Sequence, residues 1–281
     1  MYLDDIEQEI YQDLMLCMYK NHPLKHDIGG SIESIKLIDK KVLSDIHQKF
    51  YHPSNRLLVI AGRVDIPKLK KFFKDYDTLE KVRIPKITYL KEPKGVVTKE
   101  LVRQKDVSIS KLAMGYKFYL PYKNAQERVK QEMIHTILFN LLLGTTSNLY
   151  HALLEEKLIN KNFYISSTFE NHQSHLMIFA DTKDPKALKS FILNSFKDNI
   201  SSLISNDAFN RYVKVYIGQI IFALNSVENK VYLYGKYFHK KIQLFDVIDI
   251  ISDIVFEDIM NAYNRLMASP MSTVIYKKTK S

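Results

Sequence analysis

A predicted strand followed by a long apolar helix occupies the middle of this sequence. Residues 106–117 have the pattern of a strand, and residues 126–143 form an apolar helical run of about five turns. Gly144 follows that run directly and is the expected C-cap. Because so apolar a helix must be buried against other elements, we expect this pair to form the centre of a domain.

The elements after residue 144 predict a layered domain. Residues 163–170 and 174–181 have the pattern of two antiparallel strands, and residues 272–277 that of a final strand. The helical segments between them lie at residues 185–203, 207–224, 227–237, 244–252 and 256–267. Such an order favours an α+β fold, with a mixed or antiparallel sheet and helices packed on one face.

The N-terminal part has fewer elements. Residues 3–18 and 39–50 have the apolar spacing of amphipathic helices, and residues 56–62 form a short apolar run ending in Gly62, which predicts a buried strand. Residues 77–99 are rich in lysine and proline and have little apolar periodicity, which is typical of a linker.

These patterns predict one complete domain and the C-terminal part of another. We assign residues 1–76 to the partial domain, 77–99 to the linker and 100–281 to the complete domain.

Composition and charge exclude several classes of protein. The chain has 281 residues, 46% of them hydrophobic and 26% charged, which is ordinary for a globular protein. The single cysteine, Cys17, excludes an internal disulfide and favours a reducing compartment, so we expect a cytoplasmic protein. Uninterrupted apolar runs stay below the roughly 18–20 residues of a membrane helix, so we expect no membrane partner.

The net charge of +10 is compatible with nucleic-acid binding but does not predict it. Its basic residues are scattered along the chain, whereas nucleic-acid binding proteins concentrate them on one element or face. We therefore expect no nucleic-acid partner.

The sequence holds no catalytic motif that could act alone. It lacks H-E-x-x-H, H-x-x-E-H, G-x-S-x-G, C-x-x-C and a Gly-rich phosphate loop. His22 and His26 are four residues apart, but Pro23 and Gly29 place them in a loop with no glutamate between them. No catalytic residue, metal ligand or cofactor is therefore predicted in this chain.

Two phrases nevertheless resemble one enzyme family. The first runs from His22-Pro23 through Gly29-Gly30, and the second, F-Y-H-P-S-N-R-L-L-V-I-A-G, contains the motif residues Tyr51, His52, Pro53, Asn55 and Gly62. A later phrase, L-L-G-T-T-S-N-L-Y, includes Gly144. In this order they resemble the insulinase/pitrilysin family of zinc peptidases, which includes the mitochondrial processing peptidases and a bacterial two-subunit branch.

The resemblance implies the C-terminal portion of such a peptidase. In the family the H-x-x-E-H zinc helix lies upstream of the phrases found here, so the chain is expected to be inactive alone. Zinc is then expected only in a full-length or partner half. The implied partners are a peptide substrate and either the upstream zinc-bearing half or a related subunit with an Arg-Tyr pair.

That Arg-Tyr pair is not matched in this chain. The family's arginine falls at Glu155 or Glu156, Phe163 stands seven residues after Glu156, and Tyr164 eight. An acidic group cannot stabilise a developing oxyanion as arginine does. These four residues are therefore only candidates for lining a substrate chamber.

Two alternatives remain open from the sequence. The chain is also compatible with a natural non-catalytic subunit of a heterodimeric peptidase. From another class of function, it is compatible with a basic protein that binds nucleic acid or an anionic surface.

Overall fold

The computed structural model describes residues 5–74, 82–83, 87–120, 122–170, 173–198 and 200–279. Within these limits the chain divides into two compact units. Unit 1 comprises residues 1–26, 90–217 and 246–281, and unit 2 comprises residues 27–89 and 218–245. The predicted linker at 77–99 lies partly outside the described residues, and the division into family domains at that linker stays a prediction.

The described residues form five strands and twelve α-helices. The helices are α1 (Ile6–Met18), α2 (Ile32–Lys36), α3 (Lys40–Phe50), α4 (Ile66–Phe73), α5 (Ala125–Leu143), α6 (Asn148–Glu155), α7 (Pro185–Asp198), α8 (Ile200–Leu203), α9 (Asn206–Ala223), α10 (Val227–His239), α11 (Asp246–Ser252) and α12 (Phe256–Met267). The strands are β1 (Glu100–Lys105), β2 (Lys111–Tyr119), β3 (Tyr164–Glu170), β4 (Gln173–Asp181) and β5 (Met271–Lys278).

Unit 1 contains one mixed sheet with the strand order β1-β5-β2-β4-β3. β1 pairs with β5 in parallel, whereas β2, β3, β4 and β5 are joined by antiparallel ladders. The expected α+β fold with a mixed sheet is confirmed. Within it, the strand predicted at 106–117 begins later, at Lys111, and β1 was not predicted as a separate strand.

Helices lie on both faces of this sheet. On one face, Phe118 of β2 stacks on His135 of α5, and Tyr116 contacts Phe196 of α7. Since side chains alternate along a strand, Ala113 points to the other face, where it packs with Leu14 and other core residues of α1. The helices α5 and α7 thus follow the expected placement on one face, and α1 adds a cover on the opposite face.

A glycine in β2 allows α1 to approach the sheet. A Cβ atom added at Gly115 would overlap the Met18 sulfur and would lie 3.3 Å from Leu14 Cδ1. Both side chains are fully buried, so neither can move into solvent. The close packing of α1 therefore depends on the missing side chain at Gly115.

We expect Gly115→Ala to lower the free energy of unfolding by about 1–3 kcal/mol through overpacking. Urea denaturation measures it, with Gly218→Ala as the control, because a Cβ there meets nothing within 4 Å. Met18→Ala removes the obstructing side chain. The double variant Gly115→Ala/Met18→Ala should therefore lose less unfolding free energy than the sum of the losses in the two single variants. Additive losses would show that Met18 is not the obstacle.

The apolar segment 125–155 is long and hydrophobic enough by composition to span a membrane. Half of its most apolar window is buried inside the protein, as in the core helix of a globular domain. Cys17 is also buried, and burial raises the pKa of its thiol. It is a core residue of α1, as its place beside the apolar stripe suggests.

Unit 2 is helical in its described part. It contains α2, α3, α4 and α10, and the strand predicted at residues 56–62 is wrong, because these residues belong to no strand ladder. A strand needs a neighbour for its backbone N–H and C=O groups, and none of the described segments of unit 2 supplies one.

Candidate functional site

The two His-Pro dipeptides of the family phrases form the same local structure. His22 and His52 each precede a 3-10 turn that starts with proline. Proline suits this first position, because a backbone N–H there would have no partner within the turn. In each case the Nδ1 atom accepts a hydrogen bond from the backbone N–H two residues later, at 3.2 Å. These histidines therefore cap turns, and their Nδ1 lone pairs are already used.

The other residues of the two phrases also shape the backbone. Gly30 has a φ of +73° and Gly62 a φ of +135°, conformations that favour glycine. Gly29 donates its backbone N–H to Asp27 at 2.7 Å, and the Asn55 side chain donates to the Phe50 carbonyl at 2.8 Å. These motif residues thus set the local backbone conformation of this chain.

Two further motif residues, Tyr51 and Gly144, also make local contacts. Tyr51 stacks on His47 with ring centroids 5.2 Å apart. Gly144 is the C-cap of α5, as predicted, but its φ of −65° is ordinary. Its requirement is space, because a Cβ would lie 2.5 Å from the Asn140 carbonyl oxygen.

The four candidate chamber residues have different surroundings. Glu155 ends α6 and Glu156 is its C-cap, and both are exposed. Phe163 is buried against Tyr150, whereas Tyr164 is 46% exposed and stacks on Phe179. Their role as substrate contacts stays a prediction.

A buried polar cluster that the sequence did not reveal joins α1 to the sheet in unit 1. Glu92 accepts the backbone N–H groups of Lys20, Asn21 and His22 at 3.0, 2.7 and 2.7 Å. Lys117 of β2 donates to the same carboxylate at 2.6 Å. We call this arrangement the Glu92–Lys117 anchor.

Hydrogen bonding satisfies both charges of the Glu92–Lys117 anchor. The Lys117 ammonium also donates to the carbonyl oxygens of Met18 and Gly95, at 3.0 and 2.9 Å. Burial alone would raise the pKa of the Glu92 carboxyl, but hydrogen bonds from Lys117 and three backbone N–H groups lower it. Both side chains are nearly inaccessible to solvent, so the anchor holds the backbone and does not face a substrate.

Two fully buried histidines lie in unit 1. His175 shares a 2.9 Å hydrogen bond with the Tyr19 hydroxyl, and His135 bonds to the Gln131 carbonyl at 2.8 Å. Burial, with a smaller contribution from His22, lowers the pKa of His175 to about 4, and burial lowers that of His135 to about 4. Among the described atoms the Nε2 nitrogen of each has no hydrogen-bond partner.

The acidic residues of α1 are paired with basic residues of the strands. Glu7 contacts Lys111 and Glu9 contacts Lys105, while Asp13 lies 3.0 Å from Arg103. These carboxylates fasten α1 over the sheet.

The residues present do not fit a zinc site. Over the described ranges, no group of three or more His, Cys, Asp or Glu side chains could hold a metal ion. Tetrahedral zinc in a peptidase needs three protein ligands and an open position. The described part of this chain therefore offers no set of zinc ligands, and a zinc site in a full-length or partner half stays a prediction.

Unit 2 carries an apolar cleft of about 370 Å³. Its lining consists of Val59, Ile60, Ala61, Leu224, Lys230, Tyr234, Leu244 and Phe245. All but Lys230 are apolar or aromatic, so the cleft suits an apolar group with a negative charge beside it.

Unit 2 also leaves much apolar surface exposed. None of the residues of α2, α3 or α4 is buried. Val42, Leu43 and Ile46 lie on one side of α3 and are 38–59% exposed. An amphipathic helix normally buries such a stripe.

Comparison with known proteins agrees with the family motifs. Residues 38–216 match the family model described as "Peptidase M16 inactive domain". The chain is 31% identical over 290 residues to the uncharacterized zinc protease YmfH of Bacillus subtilis, which covers all of this chain and 66% of the relative. It therefore spans about two thirds of that relative's length.

Solved structures share the fold. A putative M16-like peptidase from Alicyclobacillus acidocaldarius superposes with a TM-score of 0.87 and 25% identity, over 98% of this chain and 67% of the other. The peptidase M16 inactive domain from Pseudomonas fluorescens gives a TM-score of 0.80 at 16% identity, over 100% of this chain and 67% of the other. The second likeness concerns the fold alone.

Proposed function

This chain belongs to the M16 peptidase family, and on that premise we propose that it is the inactive-domain part of a zinc peptidase. It cleaves peptides only when joined to a zinc-bearing half of the same family. The insulinase-type resemblance of the sequence is the same family relationship, and the zinc protease relative and the M16-like fold support it.

The exposed stripe on α3 is the observation that carries this proposal. The stripe residues Val42, Leu43 and Ile46 recur at helical spacing, yet no residue of α3 is buried. Exposed apolar surface of this kind marks a protein–protein contact. A zinc-bearing half that covers the stripe explains both the pattern and its exposure.

The extended segment at residues 57–61 gives independent support. Leu58 and Ile60 are exposed while Leu57, Val59 and Ala61 are half-buried, the alternation of a strand with one face covered. Outside the helices and strands, the backbone hydrogen bonds found among the described residues do not involve residues 57–61. A strand from the zinc-bearing half would satisfy these groups by strand addition.

The division of labour follows from the side chains present. In metallopeptidases the metal polarises the substrate carbonyl and activates a water molecule. The described residues of this chain do not fit such a site, so its part is to complete the fold and enclose the peptide. The proposal covers two forms of the zinc-bearing half: a part of the same polypeptide, or a separate subunit of a heterodimer. It also includes a cytoplasmic location.

We expect the double variant Leu43→Asp/Ile46→Asp to lose its zinc-bearing partner. Two buried carboxylates at the centre of an interface weaken binding by about 2 kcal/mol or more each, roughly 30-fold per site. The probe is the third of Bacillus subtilis YmfH that this chain does not match, co-expressed with it. Size-exclusion chromatography reports the complex, and a quenched-peptide library reports cleavage.

Ser44→Asp/Gln48→Asp is the matched control, because it adds the same two negative charges to exposed positions on the opposite side of α3. The wild-type chain alone should show neither stoichiometric zinc nor cleavage. Chelator-sensitive cleavage by the purified chain alone would overturn the proposal. So would a partner that binds the double variant as tightly as the control.

A further inference from the structure

The positive charge of the chain is concentrated in unit 2. This unit contains 17 lysine and arginine residues against 9 aspartate and glutamate residues, whereas the whole chain has 41 against 31. Unit 2 therefore carries +8 of the total +10 in about a third of the sequence. Such an asymmetry attracts negatively charged partners to one part of the molecule.

The apolar cleft described above lies in this basic unit. Three consecutive residues of the extended segment, Val59, Ile60 and Ala61, contribute to its lining, as do Leu244 and Phe245. Lys230, an exposed residue of α10, is the charged member of the lining. The site thus combines an apolar depression with a cation.

We infer that this cleft is a substrate subsite, which accepts a large apolar side chain of an acidic peptide. The inference rests on the proposed function, since it assigns the substrate class of the same peptidase. A carboxylate next to the apolar side chain pairs with Lys230, and the basic surroundings in unit 2 favour further acidic residues in the peptide.

The size of the cleft favours a peptide over a folded domain. A volume of about 370 Å³ lies at the lower end of the roughly 300–1,000 Å³ found for small-ligand pockets, enough for one or two side chains. Strand addition to residues 57–61 uses the backbone edges of that segment. The cleft is formed by side chains, so the two interactions use different groups of the same segment.

Charge and lining exclude two other occupants. A second copy of the chain would bring two units of net charge +8 together, which is repulsive. Nucleic acid is bound through several phosphate contacts, whereas Lys230 is the one cation in the lining of this cleft. An acidic peptide satisfies both the apolar lining and the lysine.

Fluorescence anisotropy with the full chain tests the inference directly. The probe is a labelled decapeptide in which one phenylalanine is flanked by glutamates. Two comparison peptides carry alanine in place of phenylalanine or lysines in place of the glutamates. We expect saturable binding of the first peptide and at least about tenfold weaker binding of the other two, equivalent to about 1.4 kcal/mol.

Matched variants separate the cleft from the general charge. Ala61→Phe fills the cleft, and Lys230→Glu reverses the charge of its lysine, so each should weaken binding about tenfold or more. Lys68→Glu changes the net charge by the same amount at an exposed position of α4 that does not line the cleft. It should leave binding within about twofold, less than 0.5 kcal/mol.

Equal weakening by Lys230→Glu and Lys68→Glu would overturn the inference, since binding would then report only charge. Full affinity in both Lys230→Glu and Ala61→Phe would also overturn it. Because the binding assay needs no zinc-bearing half, its outcome is independent of the proposed function. Cleavage by the complex without any preference for acidic, apolar peptides would contradict the subsite and leave the proposed function standing.

Discussion

Replacing Lys117 with methionine is expected to destabilise the protein by about 3–5 kcal/mol, the usual cost of breaking a buried ion pair by removing one partner. The substitution leaves the Glu92 carboxylate buried without its cation, and it removes the hydrogen bonds to Met18 and Gly95. Urea denaturation at pH 7 measures the loss. Lys94→Met serves as the control, because Lys94 is exposed in a nearby loop.

A second substitution separates the charge from the packing. Glu92→Gln removes the negative charge while keeping one oxygen that accepts backbone N–H groups. In the double variant Lys117→Met/Glu92→Gln no unpaired charge remains, so it should be more stable than Lys117→Met alone. If Glu92→Gln instead adds its own cost to that of Lys117→Met, the ion pair is not the source of the destabilisation.

Mild acid is expected to destabilise the protein through its two buried histidines. Burial lowers the pKa of His135 and of His175 from the ordinary 6.5 to about 4. Between these values the unfolded chain binds protons that the folded chain does not, so stability falls as the pH drops from about 6.5 to about 4. At pH 5 the loss is about 2 kcal/mol for each histidine.

His135→Phe tests this expectation, because His135 already stacks on Phe118 and contacts Phe139 and Phe169. In the wild-type protein the unfolding free energy is lower at pH 5 than at pH 7. In His135→Phe this difference should be about half as large. His151→Phe is the control, since His151 is exposed on α6. An unchanged pH dependence in His135→Phe would contradict the assignment.

The sequence predicted those elements whose apolar pattern is long and whose ends are marked. The helix at 126–143 has both a long apolar run and Gly144, and the structure places α5 within a residue of it. The sequence did not predict β1 as a separate strand. This strand lies at the edge of the sheet and its residues are mostly exposed, so it has no apolar run. Residues 56–62 had the strand pattern without a neighbouring strand.

The functional and structural sites also differ in how far the sequence predicts them. The two His-Pro dipeptides were visible in the sequence, but only the structure shows that each histidine caps a turn. The Glu92–Lys117 anchor had no local signal. It joins Glu92, in a segment predicted as a linker, to a backbone 70 positions earlier, and spacing along the chain carries no information on such a contact.

The Glu92–Lys117 anchor also changes how the intervening chain can behave. The backbone nitrogen of His22 lies 2.7 Å from a carboxylate oxygen of Glu92 in unit 1. Residues 27–89 therefore leave unit 1 and return to it at nearby positions, as an inserted segment does. The ends of this segment, which contains α2, α3 and α4, are fixed by contacts outside it, so the chain entropy of bringing those ends together is already lost when unit 1 folds.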